Sequence, residues 1–320
     1  MSVKDLVDFG SLDGTYFVKS KTVATTKNNK DYYNLELQDK TGSIVAKVWD
    51  ICSPDIQNFD QGDFVHVKGK VSTYMGTLQG NVSSVTLATE GSYDIADFMP
   101  VSPFNINTMY NDVVGYIATV RNEYLNGLLK EFYVNYQGMV DLIKSHSAAS
   151  GVHHAFVGGF LQHTLAVTEL CNSYCELYPT LNRDLLITVA LLHDIGKLRE
   201  LTAFPENDYS DEGKLLGHII LGIEWIGNCI RGIQDFPPDL ALDVKHCIAS
   251  HHGELEWGSP KKPAIPEAMA LHMADLTDSR LEQFIECIGT EGSDGSWTSF
   301  NRRLGTPIRL SRLSSKSEDL

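Results

Sequence analysis

The sequence predicts two structural units in series: a small closed β-barrel of five strands, then an all-helical domain. Three observations predict it. The first ninety or so residues alternate apolar and polar side chains in period two between turns rich in Gly and Asp. Beyond Pro103 the apolar residues recur at i, i+3 and i+4. The length, 320 residues, suits about two domains.

The five strands are read at Gly14–Val23, Tyr32–Leu37, Ser43–Trp49, Phe64–Val71 and Leu78–Leu87. Asp39-Lys-Thr-Gly42 and Gln61-Gly-Asp63 supply turn chemistry between them. Strand alternation places about half of the aromatic side chains inside the barrel, Tyr33 and Phe64 among them. Glu90–Asp94 and Met99–Pro103 then carry the Gly, Ser and Pro of a boundary. Helices are expected over Met109–Val120, Tyr124–Ser145, Gly159–Tyr178, Arg183–Leu198, Lys214–Ile233, Pro238–Ser250 and Pro266–Ile288. Pro238 and Pro266 fit first turns, and Asn182 fits an N-cap. The units are therefore a barrel over 1–89, a linker over 90–104, a helical domain over 105–310 and a frayed tail over 311–320.

Composition narrows the function classes. Apolar residues make up 42% and charged residues 21%, which excludes a wholly disordered or fibrous chain. The formal charge is −15, so the chain does not hold nucleic acid through bulk positive charge. A phosphate-bearing ligand must be met by a local site or by bound cations. The longest apolar runs fall short of the roughly 18 residues that span a bilayer, so no membrane partner is expected. Met1–Phe17 lacks a basic start followed by an apolar stretch, so a cytoplasmic chain is expected. The six cysteines form no C-x-x-C pair and read as small apolar side chains in a reducing compartment.

The helical half carries the chemistry. Of eleven histidines, ten lie between His146 and His272. His193-Asp194 interrupts the apolar run Ala190-Leu-Leu-His-Asp-Ile-Gly-Lys197. Two ionisable groups on such a face need ligation or hydrogen bonds, because burying them unpaired is costly. A lone helix histidine is more often a packed or surface residue than a ligand. His163, His193, Asp194, His218, His251 and Asp275 form instead an ordered set that converging helices can bring together. Imidazoles and carboxylates are what a transition-metal ion accepts, and a carboxylate can bridge two ions.

The order His163…His193-Asp194…Asp275 resembles the HD-domain metal phosphohydrolases, and His218 and His251 resemble the two-metal members. Together with the barrel, four segments make the chain similar to the YhaM family of 3′–5′ exoribonucleases, which joins an N-terminal OB-fold to an HD domain. They are His153–His163, Leu192–Lys197, Leu215–His218 and Ser250–Pro260. The resemblance covers nearly the whole chain. It implies an OB-type barrel followed by an HD domain, and two divalent cations: Mn2+ first, with Mg2+, Fe2+ or Co2+ as alternatives. It implies that His163, His193, Asp194 and Asp275 hold one ion, and that Asp194, His218 and His251 hold the second, with Asp194 bridging. His252 sits in the outer shell or touches substrate. In one departure, the chain reads Leu-Thr-Asp278-Ser-Arg280 after Asp275 where the family pattern has Asn-Leu-Asp-Ala-Lys, so Arg replaces Lys.

Two cations suit in-line phosphodiester hydrolysis. Lys197, three residues after Asp194, reads either as a phosphate contact or as a solvated helix-end lysine. His154 and His252 are candidate proton donors to the leaving oxygen. His246 and His272 orient ligands or pack. Trp257 stacks a terminal base or fills a loop. On the barrel, Tyr32, Trp49, Tyr74, Lys47 and Lys68 are candidate strand contacts, with Arg280 beside the metals. Residues 1–100 carry 9 basic against 13 acidic side chains, so strand binding should be modest and salt-sensitive. The function expected is a metal-dependent 3′–5′ exoribonuclease on single-stranded RNA, with single-stranded DNA as a second substrate and a homo-oligomer as a further partnership. The alternative is an HD-domain phosphatase or phosphodiesterase on small nucleotides, which would not need the barrel. Lys197 and the barrel weigh against an iron oxygenase, and the intact ligand set against a non-catalytic adaptor.

Overall fold

The computed structural model describes residues 2–26, 28–74, 76–89, 91–94, 97–150, 156–291 and 297–309. The first unit is a closed five-stranded barrel of the OB type. Its strands are β1 (Ser11–Thr25), β2 (Asp31–Asp39), β3 (Gly42–Val48), β4 (Phe64–Tyr74) and β5 (Thr77–Leu87), closed in the order β1-β2-β3-β5-β4. All neighbours are antiparallel except β3 and β5, which run parallel. Period-two alternation sets the interior: Leu35 and Leu37 of β2 and Val65 and Val67 of β4 are fully buried, with Leu12 and Tyr16 of β1 beside them.

Two interior expectations change. Tyr33 is only half-buried; it meets Phe59 edge-on at 5.9 Å at the margin of the core. Phe64 is not a barrel-core residue. It packs outside with Phe17, Tyr93 and Phe98, in a separate cluster that also takes in Met99, Val157 and Phe204. The barrel meets the connecting segment and loops of the helical unit through that cluster, so the outward face of β4 is apolar at this position. The contact lies at the β2–β3 turn: the Gln38 amide donates to Phe98 O at 3.1 Å and Lys40 N–H to Asp97 O at 2.9 Å.

The helical unit comprises α1 (Ile106–Thr119), α2 (Glu123–Tyr133), α3 (Gln137–Ser145), α4 (Gly159–Leu177), α5 (Arg183–Leu192), α6 (Lys197–Glu200), α7 (Asp211–Gly232), α8 (Pro238–Ser250) and α9 (Pro266–Glu291). Side chains of Asn105, Asn122, Asn182 and Ser210 cap α1, α2, α5 and α7. Helix α5 is buried on every side from Leu185 to Leu192 and forms the hub of the core. Among the described residues no helix is long and apolar enough to cross a membrane.

Two long helices of the sequence reading are each divided. The stretch Tyr124–Ser145 breaks after Tyr133, where Val134 and Asn135 both donate backward to Lys130 O and close the helix. The freed Tyr133 carbonyl accepts from the Tyr110 hydroxyl at 2.6 Å. The stretch Arg183–Leu198 ends as an α-helix at Leu192 and tightens into i→i+3 turns, with Ile195 N–H on Leu192 O and Lys197 N–H on Asp194 O. That tightening turns His193 and Asp194 off the helix face. The tail 311–320 lies outside the described residues.

Candidate metal centre

Five elements aim side chains at one buried spot. Helix α4 supplies His163, the turn after α5 supplies His193 and Asp194, and α7 supplies His218. The end of α8 supplies His251 and His252, and α9 supplies Asp275. Two glycines make the approach possible. A Cβ on Gly196 would stand 2.0 Å from His218 O, so only glycine lets the turn after Asp194 pack on α7. Gly217, at φ 73° and ψ 159°, kinks α7 immediately before His218.

The ligand atoms fall into two groups. His163, His193 and Asp275 each offer an atom within 4.8 Å of the others, and so do His218, His251 and His252. Asp194 lies between them. Its Oδ2 is 3.3 Å from His163 Nε2 and 3.4 Å from His193 Nε2. Its Oδ1 is 3.5 Å from His218 Nε2 and 3.7 Å from His251 Nε2. One carboxylate therefore shows one oxygen to each group.

The hydrogen bonds at the far side of each ring fix what the near side offers. Nδ1 of His193 donates to Ala190 O at 2.7 Å, that of His251 to Ile248 O at 2.8 Å and that of His252 to Trp257 O at 3.0 Å. His163 Nδ1 faces Asp278 at 2.6 Å, and His218 Nδ1 faces Glu200 at 3.1 Å. With the proton held at Nδ1, the Nε2 atoms of His193, His218, His251 and His252 present lone pairs to the centre. Asp194 Oδ1, His218 Nε2 and His251 Nε2 are buried and have no hydrogen-bond partner among the described residues. Acceptors facing acceptors at about this spacing repel, and a cation between them turns repulsion into ligation. The residues thus fit a metal ion on an observation of their own geometry.

Electrostatics agree. Burial works against ionised Asp194, but Lys197 and His193 hold it well below the usual carboxylate range. Asp275 is lowered likewise, with His163 and His193 overcoming burial. Burial, then the imidazoles of His252 and His193, hold His251 well below the ordinary histidine range and so keep it neutral. Burial would also lower His163, but Asp194, Asp275 and Asp278 outweigh it and raise it. The site pairs ionised carboxylates with a neutral His251, the forms in which they bind cations.

Lys197 does not extend freely into solvent. Its ammonium lies 2.7 Å from Asp194 Oδ2 with a side chain 19% exposed. It lines, with Asp194, His252, Trp257, Asp275 and Arg280, a cavity of about 390 Å³ open to the ligand cluster. Trp257 is half-exposed on that wall. Arg280 reaches the same cavity, its guanidinium 3.5 Å from the Gln283 amide oxygen. His272 Nδ1 donates to His251 O at 2.9 Å, and His246 Nε2 accepts from Ala264 N–H, so both hold the loop after α8. His154 lies outside the described residues.

Sequence reasoning missed two contributors. Glu200, on the short α6, accepts from both the His218 backbone and its ring; a lone glutamate seven residues after His193 carried no pattern of its own. Arg303 also lines the cavity, and its only sequence signal was the doublet Arg302-Arg303 near the chain end.

On the barrel, Lys47 lies over the rings of Tyr32, Trp49 and Tyr74, 5.1–5.9 Å from their centroids. Tyr32 and Trp49 meet at 4.7 Å, and the indole N–H of Trp49 donates to Asn81. This cluster sits at the start of β2, about 23 Å along the strand from the turn that meets the helices. Lys68 is exposed about 20 Å along β4 from Tyr74, outside the cluster.

Residues 160–280 match the HD domain family, and residues 17–88 match the family described as OB-fold nucleic acid binding domain. Among curated proteins, the chain is 34% identical over 282 residues to the 3′–5′ exoribonuclease YhaM of Listeria monocytogenes, covering 87% of this chain and 89% of that one. It is 35% identical over 273 residues to the YhaM of Shouchella clausii (85% and 84% covered) and 34% identical over 271 residues to that of a Geobacillus species (84% and 82% covered).

Proposed function

The chain belongs to the YhaM family of 3′–5′ exoribonucleases, and on that premise we propose that it hydrolyses single-stranded RNA from the 3′ end at the centre between α4, α5, α7, α8 and α9. The observation that carries the reading is Asp194, whose two oxygens face two separate groups of imidazole nitrogens. His163, His193, Asp275 and Asp194 Oδ2 would hold one divalent ion. His218, His251 and Asp194 Oδ1 would hold the other, with His252 as a further nitrogen ligand in place of an outer-shell or proton-donating role. The imidazole-rich set suits Mn2+, Fe2+ or Co2+ better than Mg2+, and Mn2+ is the proposed ion. Bound cations supply a water acidic enough to be deprotonated near neutral pH and offset charge on the phosphoryl oxygens.

The chain's own groups do the rest. Lys197 steadies Asp194 and faces the cavity, where its charge meets the scissile phosphate. Trp257 offers a face to the terminal base. A cavity of about 390 Å³ is at the small end of ligand sites and takes a chain end rather than a duplex. Arg280 holds the phosphate backbone. The barrel, residues 1–89, gathers the strand on Tyr32, Trp49, Tyr74 and Lys47, far from the chemistry, and feeds it to the helical unit, residues 105–310. Its aromatics stack DNA bases as well as RNA bases, so single-stranded DNA is a second substrate. We further place the chain in the cytoplasm and expect it to associate with itself.

The test is 5′-labelled single-stranded RNA incubated with Mn2+, with Mg2+ and with EDTA. The reading expects a ladder of shortening labelled products with Mn2+ and none with EDTA. Release of inorganic phosphate alone would establish a phosphatase instead.

A further inference from the structure

The cavity beside the ligand cluster has a wall that does not come from the HD helices. After α9 the chain returns as a small antiparallel hairpin, residues 297–309, bridged at Trp297–Arg309 and Asn301–Thr306. Its tip is built. Asn301 Oδ1 accepts from the backbone of Arg303 and of Leu304, and its amide nitrogen reaches Cys287 Sγ on α9 at 2.9 Å. Ile308 is buried, and Thr298 N–H donates to Ile308 O at 2.8 Å. The hairpin is thereby tied to α9, and it carries Arg303 into the cavity that Asp194, Asp275, Lys197 and Arg280 line.

Charge gives the placement its meaning. The molecule carries a formal charge of −15, so two arginines that line a cavity beside Asp194 and Asp275 put positive charge where a phosphate-bearing strand would approach them. Asp275 and Arg280 are five residues apart on α9, about 7.5 Å along its axis. Arg280 therefore stands about one and a half turns along α9 from Asp275, and Arg303 lines the same cavity. We infer that Arg303, delivered by the C-terminal hairpin, pairs with Arg280 to hold the backbone phosphate next upstream of the scissile one, and so sets the register in which the 3′ nucleotide enters the centre. Planar guanidinium forks suit bidentate phosphate contacts. Such contacts position a strand without reading its bases. The inference rests on the exonuclease reading of the same site.

The experiment is a cycle between side chain and substrate. The full-length parent and Arg303→Ala are assayed with Mn2+ on a short single-stranded RNA and on the same RNA with one uncharged methylphosphonate linkage just upstream of the scissile bond. In the parent, the neutral linkage should raise KM about tenfold or more while kcat changes little, as expected for losing a hydrogen bond to a charged group. Arg303→Ala should show that same rise on ordinary RNA and little further rise on the methylphosphonate. Arg303→Lys should recover part of the loss, and Asn301→Ala, which frees the tip, should resemble Arg303→Ala. Additive losses would make the hairpin scaffolding and overturn the inference, as would an alanine variant equal to the parent. A parent chain that does not shorten RNA overturns the exonuclease reading and this inference together; a parent that does, with additive losses, overturns this inference alone.

Discussion

At the scale of single residues, Asp194 is the group with no substitute. Both groups of imidazoles meet on its two oxygens, and Asn at this position would keep the shape while removing the charge that the two proposed cations would need. Asp194→Asn should abolish hydrolysis and lower bound metal; metal analysis beside turnover checks it, and near-normal activity with two bound ions would sink the two-ion assignment. Lys197 makes a different prediction. Its ammonium already bonds Asp194 and faces the cavity, so Lys197→Ala should lower kcat on the order of 10²-fold with KM little changed; a variant within about twofold of the parent would mark the lysine as scaffolding. Glu200 acts one shell out. It fixes the proton on His218 Nδ1, so Glu200→Ala should weaken metal binding by about 10–100-fold, read as a shift in the Mn2+ titration of activity.

At the scale of elements, the site depends on two backbone departures from regular helix. The turn after α5 brings His193 and Asp194 off a fully buried helix, and the Gly217 kink bends α7 immediately before His218, with Gly196 letting the two pack together. Gly196→Ala puts a methyl group where His218 O stands. The backbone must then separate, at a cost of about 1–3 kcal/mol or more, and the His218 ring must leave its partners. A lower melting temperature together with loss of Mn2+-dependent activity is expected. Retained activity at lowered stability would show that His218 is dispensable. The sequence reading drew both regions as unbroken helices because apolar periodicity reports the face an element buries, and the buried face continues across each break.

At the scale of the whole molecule, the barrel and the centre divide the labour. The aromatic cluster lies at the far end of β2 from the turn that meets the helical unit, so on the proposed reading it would meet RNA well upstream of the cleaved end. Trp49→Ala combined with Tyr74→Ala should raise KM for long RNA while leaving hydrolysis of a dinucleotide unchanged, since stacking contributes about 1–3 kcal/mol per base. Equal losses on both substrates would place the cluster at the chemistry. Deleting the barrel is a poorer test, because Phe98, Met99 and Phe204 would lose their cover. Salt dependence follows from charge. On the proposed reading Lys47, Lys197, Arg280 and Arg303 would make about four phosphate contacts, hence a slope of log affinity against log salt near −3; a much steeper slope would point to further basic contacts.

The order of the two units, their periodicities and the candidate His and Asp residues were legible along the chain. Period two and the helical repeat are local properties of neighbouring residues, and an ionisable His-Asp pair within an apolar run is conspicuous wherever it falls. Packing in three dimensions set which oxygen of Asp194 faces which imidazoles, that His252 lies beside His218 and His251, that Glu200 bonds His218, and that Arg303 lines the cavity. It also moved Phe64 from the barrel interior to the seam with the helices, since strand alternation names two faces but not which outward position meets a second unit. These are contacts between residues far apart in the chain. They depend on how packed helices cross and where backbones tighten, and no local pattern encodes that convergence.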